Sequence, residues 1–225
     1  MRHGQIDPLL WMVNGPVEFV MSNDRAAGRA ARQRILIAQT AARLMAEGGM
    51  RDYRQAKHKA LDSLGISRNT PNMPRNTEVE QALAEYQRLF QGESQPQALS
   101  RLRETAAEAM TVFADFRPRL VGPVLSGLAD TASAVNLHLF ADTPEQVVLF
   151  LLERDIPHES DLRRLRVNDR DWAEFPMFRF MARDVPVELT VFPLNGLRQA
   201  PLSPVDGRPM QRAGLNEVQE LLGRD

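Results

Sequence analysis

The sequence predicts an α+β protein, an N-terminal helical bundle followed by a small mixed sheet with flanking helices. Two changes along the chain carry this reading. From Arg25 to about Phe116, apolar residues recur every three or four positions, the period of an amphipathic helix. After Arg117-Pro118 the period falls to two, the alternation of a half-buried strand. Hydrophobic residues at 43% and charged residues at 25% are the proportions of an ordinary globular chain, so 225 residues suffice for a buried core.

Residues 1–24 read as an extension, poorly ordered and dispensable through residue 20, because Pro8, Gly15 and Pro16 suit neither helix nor strand. Met21 looks like a natural beginning. In the helical region 25–116, Ile35, Ala38, Ala42 and Met45 mark the first apolar face, and Gly48-Gly49 ends that helix. Tyr53 to Leu64 forms a second helix, stopped by Gly65. Two prolines between Asn69 and Pro74 require a loop. Thr77 and Glu80 form a capping-box pattern for a third helix with Val79, Leu83, Tyr86 and Phe90 inward. Pro96 suits the first turn of a fourth, carrying Leu99, Leu102, Ala106, Met110 and Phe113. Four helices with short links predict a bundle.

Region 117–225 alternates. Strands are expected at 119–125, 135–141, 162–167, 175–181 and 185–192, the last two joined by the short link Ala182-Arg183-Asp184. Thr143-Pro144-Glu145-Gln146 reads as a capping box opening a buried helix. Asp169 and Asp171 beside Asn168 read as a solvated turn. Leu197 to Ala213, with three prolines, is expected to be a surface loop, and Asn216 to Leu222 a final short helix.

Composition removes several chemistries. Cysteine is absent, which excludes thiol nucleophiles, disulfides and Cys-ligated metal. Four scattered histidines form no H-E-x-x-H pair. Twenty-eight basic residues against 29 acidic ones describe no generally basic nucleic-acid binder. No segment approaches the roughly 18 apolar residues of a membrane span, and the apolar run Leu9 to Val13 is too short for a signal peptide. The expected location is the cytoplasm, with no membrane association.

The segment Leu120-Val121-Gly122-Pro123-Val124-Leu125-Ser126-Gly127, followed by Ser133-Ala134-Val135-Asn136-Leu137-His138-Leu139-Phe140, resembles the DNA polymerase β-like nucleotidyltransferase superfamily. The likeness covers about residues 117–195. It implies a strand ending in Gly-Ser, a short helix, a strand bearing Asp-hydrophobic-Asp, and a third carboxylate on a later strand. Such carboxylates hold the ions of two-metal catalysis. Here the paired aspartate positions fall on Ala134 and Asn136, the motif serine falls on Pro123, and only Glu188 stands at the third site. The resemblance therefore implies a degenerate member, with no metal, no cofactor and no assigned catalytic residue.

Its candidate ligand-binding residues are Gly122, Ser126, Gly127, Asn136, His138 and Glu188. Asn136 and His138 share a strand face, as do Glu188 and Thr190, so pairing of those strands would line one polar site. The expected ligand is a nucleotide or an RNA end, and a scaffold for a protein partner is the other role of the same fold. An active enzyme with rearranged carboxylates would need Asp130 or Asp142 beside Glu188. A third reading uses charge alone. Between Asp24 and Arg68 ten residues are basic (Arg25, Arg29, Arg32, Arg34, Arg43, Arg51, Arg54, Lys57, Lys59, Arg68) and four acidic, a surface suited to a polyanion. Sequence-specific DNA binding is not expected. The first helix faintly resembles that of TetR-type repressors, but Pro71 and Pro74 stand where a recognition helix would follow.

Overall fold

A computed structural model describes residues 16–92 and 94–224, with side chains from residue 27 onward. The described residues form seven α-helices and one five-stranded mixed sheet. The helices are α1 (Pro16–Gly48), α2 (Tyr53–Leu64), α3 (Asn76–Phe90), α4 (Ser94–Val112), α5 (Pro123–Ser126), α6 (Pro144–Glu153) and α7 (Leu215–Leu222). The strands are β1 (Arg119–Val121), β2 (Val135–Ala141), β3 (Glu159–Arg166), β4 (Trp172–Ala182) and β5 (Val185–Pro193), in the order β1-β2-β5-β4-β3. Only β2 and β5 run parallel; the other pairs are antiparallel. No described helix is long and apolar enough to cross a membrane.

The α+β class and the order of elements agree with the sequence expectation. The four-helix bundle does not. Ile37, Ala41, Ala42, Ala56, Leu61, Val79 and Leu83 form one core among α1, α2 and α3. Leu99, Leu102, Ala106, Met110 and Phe113 of α4 belong instead to a second core, built on the sheet with α6 and α7. A helical period shows that one face of α4 must be buried; it does not choose what covers it.

Other boundaries shift for local reasons. Helix α1 already begins at Pro16, so residues 16–24 of the expected extension are helical, while 1–15 lie outside the described residues. The expected strand 119–125 stops at Val121, because Gly122 adopts φ 75°, ψ −153° and Pro123 opens α5. Strands expected at 162–167 and 175–181 occupy 159–166 and 172–182, since an antiparallel ladder extends as far as both partners can pair. The Thr77/Glu80 box is displaced by two residues: α3 is capped at Arg75, and the Glu78 carboxylate accepts from Arg75 N–H at 2.7 Å. Thr143 makes no side-chain cap, and Gln146 Oε1 accepts from Asp142 N–H instead, at 3.2 Å.

Two residues assigned inward point out. Ile35 is 55% exposed and Phe90 70%. The buried face of α1 runs through Ile37, Ala38, Ala41, Ala42 and Met45, and Ile35 stands at its edge, exposed. Ile37→Val is therefore expected to lower stability by about 1 kcal/mol. Ile35→Val should leave urea unfolding unchanged within about 0.5 kcal/mol. Equal effects at both positions would contradict this difference in burial.

The two cores are joined by amides. Gln87 Nε2 of α3 donates to Leu128 O at 3.1 Å, the segment that Gln95 Nε2 of α4 holds from within the second core at Gly127 O and Ala129 O, at 2.8 and 2.9 Å. Asn76 Nδ2 reaches Pro204 O of the C-terminal loop at 2.6 Å.

Candidate functional site

Alternation divides the sheet into two faces. Val135, Leu137 and Leu139 of β2 and Val187, Leu189 and Val191 of β5 enter the core. Asn136, His138 and Phe140, with Glu188, Thr190 and Phe192, take the opposite face, where the parallel register sets Asn136 beside Glu188, His138 beside Thr190 and Phe140 beside Phe192. The expected polar site thus assembles from two strands about fifty residues apart in sequence.

Its carboxylate is not free. Arg163 of β3 reaches across the face, donating from Nη1 to Asn136 Oδ1 at 3.0 Å and from Nη2 to Glu188 Oε2. Arg179, opposite Glu188 on β4, donates from Nε and Nη2 to Glu188 Oε1 at 3.1 and 2.8 Å. The Glu188 side chain is only 13% exposed. Burial pushes its carboxyl up, but the hydrogen bonds and charges of Arg163 and Arg179 outweigh that and hold it below the usual carboxylate range.

A two-metal site needs several carboxylate oxygens aimed at one point. Ala134 offers no side-chain donor and is buried, Asn136 Oδ1 is engaged, and both Glu188 oxygens are bound to guanidinium groups. This donor set does not fit a metal pair. Rearranged carboxylates do not replace it. Asp130 accepts from Ala132 N–H at 3.0 Å and from Ser133 Oγ at 2.9 Å, holding the turn before β2. Asp142 lies six residues beyond Asn136 on an extended path, about 20 Å away. Among the described residues no group of three His, Asp or Glu side chains could hold a metal ion.

The remaining expected residues divide. A Cβ on Gly122 would stand 3.9 Å from Asn136 Nδ2, so this glycine borders the cluster. Gly127 instead backs onto α4, where a Cβ would meet Arg103 and Leu99 at 3.9 Å, and the Ser126 hydroxyl turns back to Pro123 O at 3.4 Å. Neither touches the cluster.

His138 is 3% exposed and accepts at Nδ1 from Arg212 Nε at 3.1 Å, which assigns its proton to Nε2. Burial, then the charges of Arg212 and Arg163, push its pKa down to about 3, so it is a neutral acceptor rather than an acid–base group near pH 7. Arg212 arrives from the C-terminal loop. Nη1 donates to Gly196 O at 2.7 Å, and the guanidinium carbon lies 5.0 and 5.2 Å from the ring centroids of Phe140 and Phe192. A Cβ on Gly196 would come within 3.1 Å of Phe192 Cβ, so glycine is needed where this segment closes on the sheet.

Arg163, Arg179 and Arg212 were not among the sequence candidates. Alternation on β3 and β4 could have placed the first two on one face; nothing local marks Arg212, because its partners are fixed by the path of a loop.

The basic helices are partly neutralised. Arg34 pairs with Glu78 at 2.9 Å, Arg68 with Asp62 at 2.7 Å, and Lys57 donates to Pro74 O and Asn76 Oδ1. Arg29 and Arg32 line an open groove of about 540 Å³ with Gln33, Leu36, Ile66 and Asn72. Comparison with known protein families, with curated proteins and with solved structures finds no match for this chain.

Proposed function

We propose that this chain is a nucleotidyltransferase-like protein without the catalytic metal centre, binding a nucleotide or an RNA end through guanidinium groups. The observation that carries the reading is the Asn136–Arg163–Glu188–Arg179 cluster. The β1–α5–β2 order and the Asn136–Glu188 register support the scaffold, and two arginines occupy the face where carboxylates and cations would be needed for nucleotidyl transfer. Glu188 and, at 3.9 Å from Arg179, Glu159 balance the two arginines, and Arg119 and Arg212 give the face its surplus positive charge. Planar guanidinium groups match phosphate oxygens with paired donors. Fold by itself assigns no reaction, so the function rests on this charge pattern.

ATP and a short single-stranded RNA, titrated with and without Mg²⁺, test the proposal. Binding is expected to be the same in both conditions and to weaken about tenfold in Arg163→Gln, the loss of one charge-assisted hydrogen-bonding group. A dependence on Mg²⁺ that disappears in Glu188→Ala would overturn it.

A further inference from the structure

The most unusual polar groups on this face lie one step from the Glu188 cluster. Thr190 is 1% exposed and its Oγ1 is buried with no partner. Arg212 Nη2 is also buried with no partner. They share one surface: His138, Thr190, Phe140 and Phe192 are the four corners of a rectangle on β2 and β5, and the Arg212 guanidinium sits over it, bonded to His138 and stacked on both phenylalanines.

Neither group bonds to the other or to anything else in this rectangle. The one acceptor nitrogen of His138 already receives Arg212 Nε, Gly196 O already receives Nη1, and the other two corners are hydrocarbon rings. Among the described residues no carboxylate is paired with Arg212. Arg119, opposite His138 on β1, adds a second positive charge, and burial followed by repulsion from Arg119 lowers the Arg212 pKa to about 10. Two buried polar groups without partners, beside the charges of Arg212 and Arg119, suit an anion with an oxygen that can accept from both.

We propose that the rectangle under Arg212 is a binding site for a tetrahedral oxyanion of the phosphate class, one oxygen accepting from Thr190 Oγ1–H and from Arg212 Nη2–H. Arg119 supplies the second charge. Gly196, whose carbonyl accepts from Arg212 Nη1, holds the guanidinium over this face. The site stands on Thr190 and Arg212, outside the carboxylate motif, and shares only the charges of Arg119 and Arg212 with the nucleotidyltransferase-like reading.

Thermal melting of the full chain in inorganic phosphate, against sodium chloride at equal ionic strength, tests it. Millimolar phosphate is expected to raise the melting temperature by about 3 °C, as a ligand of the native state does. Thr190→Val keeps the side chain's shape and removes the hydroxyl, and should weaken phosphate binding about tenfold. Arg212→Gln should abolish the shift, and if that variant fails to fold, Thr190→Val decides alone. Adenosine monophosphate binding more tightly than phosphate assigns the oxyanion to a nucleotide, whereas equal or weaker binding assigns it to the free ion; either supports the site. Absence of a phosphate-specific shift overturns it. So does a shift that survives intact in Thr190→Val, which would place the anion on the basic helices. Loss of ATP binding in Arg163→Gln with the phosphate response retained would separate the two sites.

Discussion

Ala134→Asp is expected to destabilise the protein by about 3 kcal/mol, the order of burying a polar group without a partner. Ala134 is 4% exposed, and its carbonyl is held by Asn136 Nδ2 at 3.0 Å. Asn136→Asp should behave differently. Its carboxylate would face Arg163 Nη1, now 3.0 Å from Asn136 Oδ1, and strengthen an existing bond. The double variant recreates the superfamily's aspartate pair, yet Mg²⁺ at millimolar concentration should leave its melting unchanged, because Arg163 and Arg179 already occupy Glu188. A saturable recovery by Mg²⁺ would show that three carboxylates can converge here, and would refute the arginine clamp. A neutral Ala134→Asp would mean that position 134 faces solvent.

Glu188→Gln carries the other large effect. It leaves Arg163 and Arg179 on a partly buried face without their common anion, a loss of about 2 kcal/mol once the exposure of both arginines is discounted. The same ion group sets part of the acid response. A carboxyl held below its unfolded pKa stabilises the native state above that unfolded value, near 4.3, and the contribution is lost as pH falls through the folded pKa. His138 acts earlier. Its folded pKa of about 3 lies below the unfolded value, so the unfolded chain takes up a proton first and stability declines as pH falls below about 6.5. Melting temperature against pH should therefore drop in two stages. Glu188→Gln should flatten the lower stage and leave the upper one. Loss of the upper stage in that variant would mean His138 and Glu188 titrate as one unit.

Much of this architecture was legible because side-chain period is a local property. The helix Tyr53–Leu64 ends at Gly65 in the left-handed region, as its composition requires, and β2 and β5 alternate as read. The face shared by Asn136, His138, Glu188 and Thr190 followed from that alternation once the strands paired. Local pattern could not decide which layer α4 joins, since an apolar stripe is equally satisfied by helices or by a sheet. Nor could it show that Glu188 is held by arginines from β3 and β4 or that Arg212 descends from a loop seventy residues past His138. Those contacts depend on sheet order and chain path. The sequence alone thus determined the class of the elements, the absence of carboxylates at positions 134 and 136, and the polar face. Tertiary structure decided that arginines from β1, β3, β4 and the C-terminal loop gather on this face, with Thr190 Oγ1 and Arg212 Nη2 left without partners, because burial and long-range register decide which charges meet.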